Sequence, residues 1–166
     1  MNHRSIYLIG FVGCAVLMAT ALYFQYVMEL DPCPLCIVQR VSFVLIGVLC
    51  LIAFIHNPKG WGNKVYGITG AVLAAVGAAV AARHVWLQHL PPELVPECGP
   101  GLDYMLRVFP LGKVVDMVFT GSGECAEVVW QFLGLSIPGW TLVAYLVIAI
   151  IALYQAFRRY PARPFS

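Results

Sequence analysis

Four long apolar stretches divide the chain: Ile6–Tyr26, Cys36–Ile55, Val65–Leu87 and Trp140–Phe157. Each is close to the ~20 residues that a helix needs to cross a hydrocarbon core of ~30 Å. Polar segments rich in Pro and Gly separate them over 27–35, 56–64 and 88–139, and short polar ends lie at 1–5 and 158–166. The pattern predicts an all-α membrane protein: four transmembrane helices forming one integral membrane domain over 1–166, with one large loop. Within that loop Val114, Val115, Met117, Val118 and Phe119 form an apolar stripe, read as a short helix lying on the membrane surface. The loop's Pro, Gly and acidic residues argue against a core of its own. In the third stretch Gly67, Ala71, Ala75 and Ala79 recur every four positions, as do Gly70, Ala74, Ala78 and Ala82. Such faces let helix backbones approach closely.

Composition excludes the soluble classes. The chain is 61% hydrophobic and 11% charged, with mean hydropathy +0.83, whereas soluble domains carry roughly 25% charge. The distribution of charge then orients the spans. Arg4, Lys59, Lys64, Arg158, Arg159 and Arg163 lie at the two ends and in the middle connection, where no acid occurs. All 8 acids lie in the first and third connections. The positive-inside rule puts both termini and 56–64 in the cytoplasm, and 27–35 and 88–139 outside. A basic head, an apolar run and Ala19-Thr20-Ala21 also resemble a cleavable signal peptide. Apolar character continues through Leu22-Tyr23-Phe24, however, so the first stretch is expected to stay as a span. Gly13-Cys14 has too little apolar chain before it for a lipoprotein site. Tyr23, Phe24 and Tyr26 suit an interfacial aromatic belt.

The candidate chemistry lies in Asp31-Pro32-Cys33-Pro34-Leu35-Cys36-Ile37-Val38-Gln39-Arg40. Pro32 and Pro34 keep the entry non-helical, and a helix from about Leu35 places Cys36 in its first turn, where free N–H groups favour negative charge on sulfur. Arg40 falls one turn further on the same face. A guanidinium just inside an apolar stretch is costly and suggests a task, although it could also snorkel to headgroups. The first connection is short, so the C-x-x-C pair sits at the membrane surface, within reach of a lipid-soluble molecule. Cys98, in the turn-dense Pro96-Glu97-Cys98-Gly99-Pro100-Gly101, and Cys125 are on the same outer side, where disulfides persist. A Cys98–Cys125 bridge would close a loop of about 27 residues, worth ~3–4 kcal/mol as a simple staple. Cys14 and Cys50 fall inside spans and read as buried free thiols. His84 and Gln88 share a face near the outer end of the third span, at the depth of Arg40. An imidazole there can hydrogen-bond a carbonyl or move a proton.

Cysteine spacing does not suit zinc, because no second C-x-x-C pairs with the first. No phosphate loop, dinucleotide fingerprint or nucleophile–His–Asp arrangement is present. Two cysteine pairs at one membrane face instead read as a relay for thiol–disulfide exchange, with the loop pair meeting a soluble partner and the surface pair an acceptor dissolved in lipid.

Several strings together carry a family resemblance: Pro32-Cys33-Pro34-Leu35-Cys36 with Arg40, Leu87-Gln88 after His84, Cys98 in the first half of the large loop, and Gly121-Ser122-Gly123-Glu124-Cys125-Ala126-Glu127 followed by Trp130 and Phe132-Leu133-Gly134-Leu135. Across nearly its whole length the chain resembles the DsbB family, four-span disulfide oxidoreductases of the bacterial inner membrane. The resemblance implies catalytic disulfides Cys33–Cys36 and Cys98–Cys125, a transient Cys33–Cys125 bond, and a periplasmic DsbA-like partner of thioredoxin fold that reacts through Cys98. It implies a quinone, ubiquinone or menaquinone, bound near Arg40 and His84, with His89 competing for the second place, and no metal. Rival readings are a quinone reductase of the vitamin K epoxide reductase type, and a four-span structural protein with inert loop disulfides.

Overall fold

The computed structural model describes residues 3–96, 102–121 and 123–158. Among the described residues six α-helices follow in order: α1 His3–Tyr26, α2 Pro34–His56, α3 Trp61–Leu87, α4 Leu102–Val108, α5 Leu111–Thr120 and α6 Ile137–Phe157. Four are long and apolar enough to span a membrane: Arg4–Tyr26, Pro34–His56, Trp61–Leu87 and Ile137–Phe157. The protein is a four-helix membrane bundle. Helix ends follow local chemistry that hydropathy does not register. Pro138 in the first turn of α6 has no N–H to leave unpaired, so the helix begins ahead of Trp140. Asn57 closes α2 in the left-handed conformation at φ 47°, its N–H returning to the Ala53 carbonyl at 2.9 Å, and Pro58 prevents continuation.

Around the bundle α1 packs on α2, α2 on α3, and α3 most extensively on α6. Small residues make that last contact close. A Cβ added at Gly67 would lie 2.8 Å from the Ala152 carbonyl oxygen, and one at Gly77 would enter the ring of Tyr145. The buried face of α3 comprises Asn63, Gly67, Gly70, Ala71, Ala74, Gly77, Val80, Ala81, His84 and Leu87. This differs from the two rows of period four, since Ala75, Ala79 and Ala82 are exposed. A helix has 3.6 residues per turn, so a strict four-residue row drifts off the contact face, whereas alternating steps of three and four stay on it. Tyr145 is wholly buried. It stacks on Phe43 with centroids 4.2 Å apart, and its hydroxyl donates to the Gln39 carbonyl at 2.6 Å. At the opposite end Tyr7 donates to Asn63 Oδ1 at 2.8 Å, and Asn63 Nδ2 donates to the Gln155 carbonyl at 2.6 Å, joining α1, α3 and α6.

The long connection between α3 and α6 packs on the ends of the spans. Met105, Val114, Val118 and Cys125 are buried together with Cys33, Leu35, Val80 and Leu87. Among the described residues, the buried side chains of the connection thus complete a core with α2 and α3. The stripe on α5 divides accordingly: Val114 and Val118 face the protein, while Val115 and Phe119 are exposed. Helix α4 and a two-residue hairpin, β1 Gln131–Phe132 with β2 Leu135–Ser136, were not expected from the pattern. Segments this short carry no periodicity of their own.

Replacing Gly77 by Ala is expected to destabilise the bundle by ~1–3 kcal/mol through overpacking against Tyr145. Thermal unfolding of the purified protein in detergent reads this directly, and an unchanged midpoint would contradict the close α3–α6 contact.

Candidate functional site

Cys33 is the N-cap of α2. Its backbone is extended, at φ −65° and ψ 162°, as the flanking prolines require, and its sulfur accepts the Cys36 N–H at 3.4 Å. Cys36 lies in the first turn of the helix, where the sequence puts it, while Cys33 is the residue that caps it. The N-cap side chain is the one that reaches the free N–H groups of the first turn. The two sulfurs stand 3.1 Å apart as a dithiol. Between them Leu35 is 1% exposed and anchors the turn in the shared core.

His84 arrives from α3 and is also buried. Its Nε2 is 3.8 Å from Cys33 Sγ and its Nδ1 is 3.9 Å from Cys36 Sγ. His89 instead is exposed and turns back to the Val85 carbonyl of its own helix, at 2.8 Å. Gln88 pairs with Ser136, which donates to its Oε1 at 2.7 Å and so ties the hairpin to α3. Arg40, half-buried, donates to the Gln25 side chain and, at 3.2 Å, to the Ala21 carbonyl, both on α1.

Cys125 is fully buried. Its sulfur, that of Cys33 and a ring nitrogen of His84 all lie within 4.8 Å of one another. Two contacts hold the connection in this position. Arg83 donates to the carbonyls of Phe119 and Thr120, at 3.4 and 3.2 Å, at the C-terminal end of α5, and rests on the Trp86 ring, 4.2 Å from its centroid. Gly121, at φ 83°, then turns the chain so closely over Leu87 that a Cβ would collide with that side chain. Cys98 lies outside the described residues. Cys14 is buried and Cys50 half-buried; both are unbonded and remote from this cluster, lining a second cavity of about 330 Å³.

The dithiol borders a larger cavity of about 540 Å³ whose wall includes Cys33, Cys36, Arg40, His84, Leu17 and Trp140. It lies between α1 and α6, and an aromatic series edges it: Phe24 to Trp130 at 5.2 Å, then Trp130 to Phe132 at 6.0 Å. Its volume falls within the usual range for small-molecule sites. The three-atom cluster of Cys33, His84 and Cys125 could also hold a thiophilic ion. Sequence spacing shows nothing of this, because the ligands come from three separate elements. Sequence reasoning likewise passed over Gln39 and Thr141. Gln39, 3% exposed, has its Nε2 3.2 Å from His84 Nδ1, and Thr141 donates to its Oε1 at 2.6 Å. The available signal was a polar side chain within an apolar stretch, one turn after Cys36.

The profile described as Disulfide bond formation protein DsbB matches residues 3–155. Among curated relatives, Disulfide bond formation protein B of Nitrosococcus oceani is 54% identical over 95% of this chain and 94% of its own length. The protein of that name from Hahella chejuensis is 52% identical over 96% of both chains, and that from Marinobacter nauticus is 50% identical over 98% of this chain and 97% of its own.

A left-handed backbone and a blocked Cβ position at Gly121 together make a Gly121→Ala change strained by ~1–3 kcal/mol. In a variant retaining only Cys33 and Cys125, mild oxidation is expected to join the two sulfurs. Adding Gly121→Ala should slow that cross-link roughly 5- to 150-fold, as measured by mobility shift on a denaturing gel.

Proposed function

Because the chain belongs to the DsbB family of disulfide bond formation proteins, we propose that it is a quinone-linked thiol oxidase of the bacterial inner membrane that re-oxidises a periplasmic DsbA-like dithiol protein. One observation carries the reading: three cysteine sulfurs and a buried imidazole converge where an apolar cavity opens between two spanning helices. Charge asymmetry supports an orientation with both termini and 56–64 in the cytoplasm and with 27–35 and 88–139 in the periplasm. Residues 1–166 then act as one membrane domain, and the exposed Val115 and Phe119 of α5 rest on the bilayer surface.

The cavity suits a quinone on its own chemistry. Its wall is largely apolar, which suits a ring with a hydrocarbon tail. Arg40 supplies a cation for a carbonyl oxygen that gains negative charge, and Cys36 supplies a sulfur. When bound, a quinone accepts two electrons and two protons and so provides the oxidising pull. Two-electron exchange shifts by ~1.4 kcal/mol for each 30 mV of difference between couples, so a strongly oxidising partner needs a still better acceptor.

The protein's own steps are exchanges at sulfur. A partner thiolate attacks Cys98 of the Cys98–Cys125 disulfide; a mixed disulfide forms and Cys125 leaves with the electron pair. The Cys125 thiolate attacks Cys33 of the Cys33–Cys36 disulfide. The Cys33–Cys125 bond forms, and Cys36 leaves as a thiolate lining the cavity. The approach of Cys125 and Cys33 to within 4.8 Å supports this second exchange. Arg40 keeps positive charge on the wall that Cys36 faces, and its bonds to α1 hold the guanidinium in place.

Anaerobic mixing of the purified protein with a reduced DsbA-like partner and a ubiquinone analogue, followed by quinone absorbance, tests the reading. Cys36→Ala is expected to abolish quinone reduction while the protein remains folded. Arg40→Ala should raise the apparent KM for quinone about tenfold or more, matching the ~1.5–3 kcal/mol of a hydrogen bond to a charged group. Quinone reduction persisting in Cys36→Ala, or an unchanged KM in Arg40→Ala, would overturn it.

A further inference from the structure

We propose that Gln39 is a positioning residue that holds His84 in its Nε2–H tautomer, so that the ring presents an N–H to the Cys33 sulfur. Gln39 is gripped from α6 at both main chain and side chain. Its carbonyl accepts the Tyr145 hydroxyl at 2.6 Å, and its Oε1 accepts the Thr141 hydroxyl at 2.6 Å. The second of these sets the direction of the amide. A threonine hydroxyl has one hydrogen to donate. The other acceptor in its reach, the Pro138 carbonyl in the first turn of the same helix, is farther, at 2.9 Å. Among the described residues Gln39 Oε1 has no donor other than Thr141, so the hydroxyl turns to it.

With Oε1 engaged, the group facing His84 Nδ1 at 3.2 Å is the amide nitrogen, which can only donate. Nδ1 must therefore accept, and a neutral imidazole carries its single proton on Nε2. Nε2 is the atom directed at Cys33, 3.8 Å from Sγ. The Cys33 sulfur thus has two N–H neighbours, the Cys36 amide and the imidazole.

The consequence for turnover rests on the relay proposed above. Once the partner's second thiolate attacks the partner sulfur of the mixed disulfide, the partner leaves with its own disulfide and Cys98 leaves as a thiolate. That thiolate attacks Cys125 of the Cys33–Cys125 bond: the Cys98–Cys125 bond forms, the Cys33–Cys125 bond breaks, and the electron pair leaves with Cys33. An N–H already aimed at that sulfur stabilises the thiolate without transferring its proton. The opposite tautomer would point a lone pair at it.

The test needs neither quinone nor partner, so its failure is distinct from a failure of the proposed function. The reduced, quinone-free protein is labelled with 15N-histidine in nanodiscs at a pH that keeps the ring neutral, and the His84 resonances are assigned by their loss in His84→Ala. The wild type is expected to show a protonated Nε2 and an unprotonated Nδ1. Gln39→Glu is nearly isosteric and still accepts from Thr141, but a carboxylate cannot donate, so the proton should move to Nδ1. Gln39→Leu should leave a mixture. If the Gln39 variants fail to fold, Thr141→Val serves instead: it removes the hydroxyl that orients the amide and should also give a mixture. A protonated Nδ1 in the wild type, or a wild-type pattern in both Gln39→Leu and Thr141→Val, would overturn the assignment.

Discussion

Every helix begins with N–H groups in need of acceptors, and at α2 the acceptor is a thiol sulfur. Much of the site follows from that single cap. The prolines at positions 32 and 34 hold Cys33 in the extended conformation an N-cap requires, so its sulfur folds back over the first turn. Cys36 then lies alongside, 3.1 Å away, and Leu35 between them is driven into the core. The sulfur that caps the helix also faces His84 Nε2 and Cys125. Backbone satisfaction and redox geometry are thus met by the same atom.

The large connection shows how a segment too polar and turn-rich to fold alone becomes ordered. It contributes Met105, Val114, Val118 and Cys125 to a core whose other half belongs to α2 and α3. Arg83 secures one end of that contact by donating to the last carbonyls of α5, where the helix dipole favours a cation. Gly121 permits the close turn that follows. Burial of Cys125 is therefore a result of docking rather than of local sequence. In the proposed relay the same docking brings the loop cysteine to the surface pair.

Helix α6 has a different part. The side chains of its Tyr145 and Thr141 reach α2 and fix Gln39, while its other face borders the cavity with α1. Its first turns thus set the geometry of His84 indirectly, and in the proposed function they leave the α1 side to a lipid-soluble molecule. The composition of α6, apolar and without internal charge, gives no sign of this. Its two polar side chains near the dithiol look like ordinary tolerated residues of a span.

Several features were legible from residue order alone: four spans, the C-x-x-C pair at the start of α2, the apolar α5 segment, Arg40 one turn after Cys36, and the family. These depend on local properties: runs long enough for a bilayer, prolines that forbid helix, and fixed offsets along one helix. What residue order left open was which atoms meet. The choice of His84 over His89, the place of Cys33 as the cap, the 3.5-residue register of the α3 face and the role of Gln39 are all contacts between helices far apart in sequence. Sequence determined what could enter the membrane and where reactive groups stood along each element. Tertiary structure decided which of them share a site, because helix rotation and loop docking are set by close packing between surfaces that no single stretch contains.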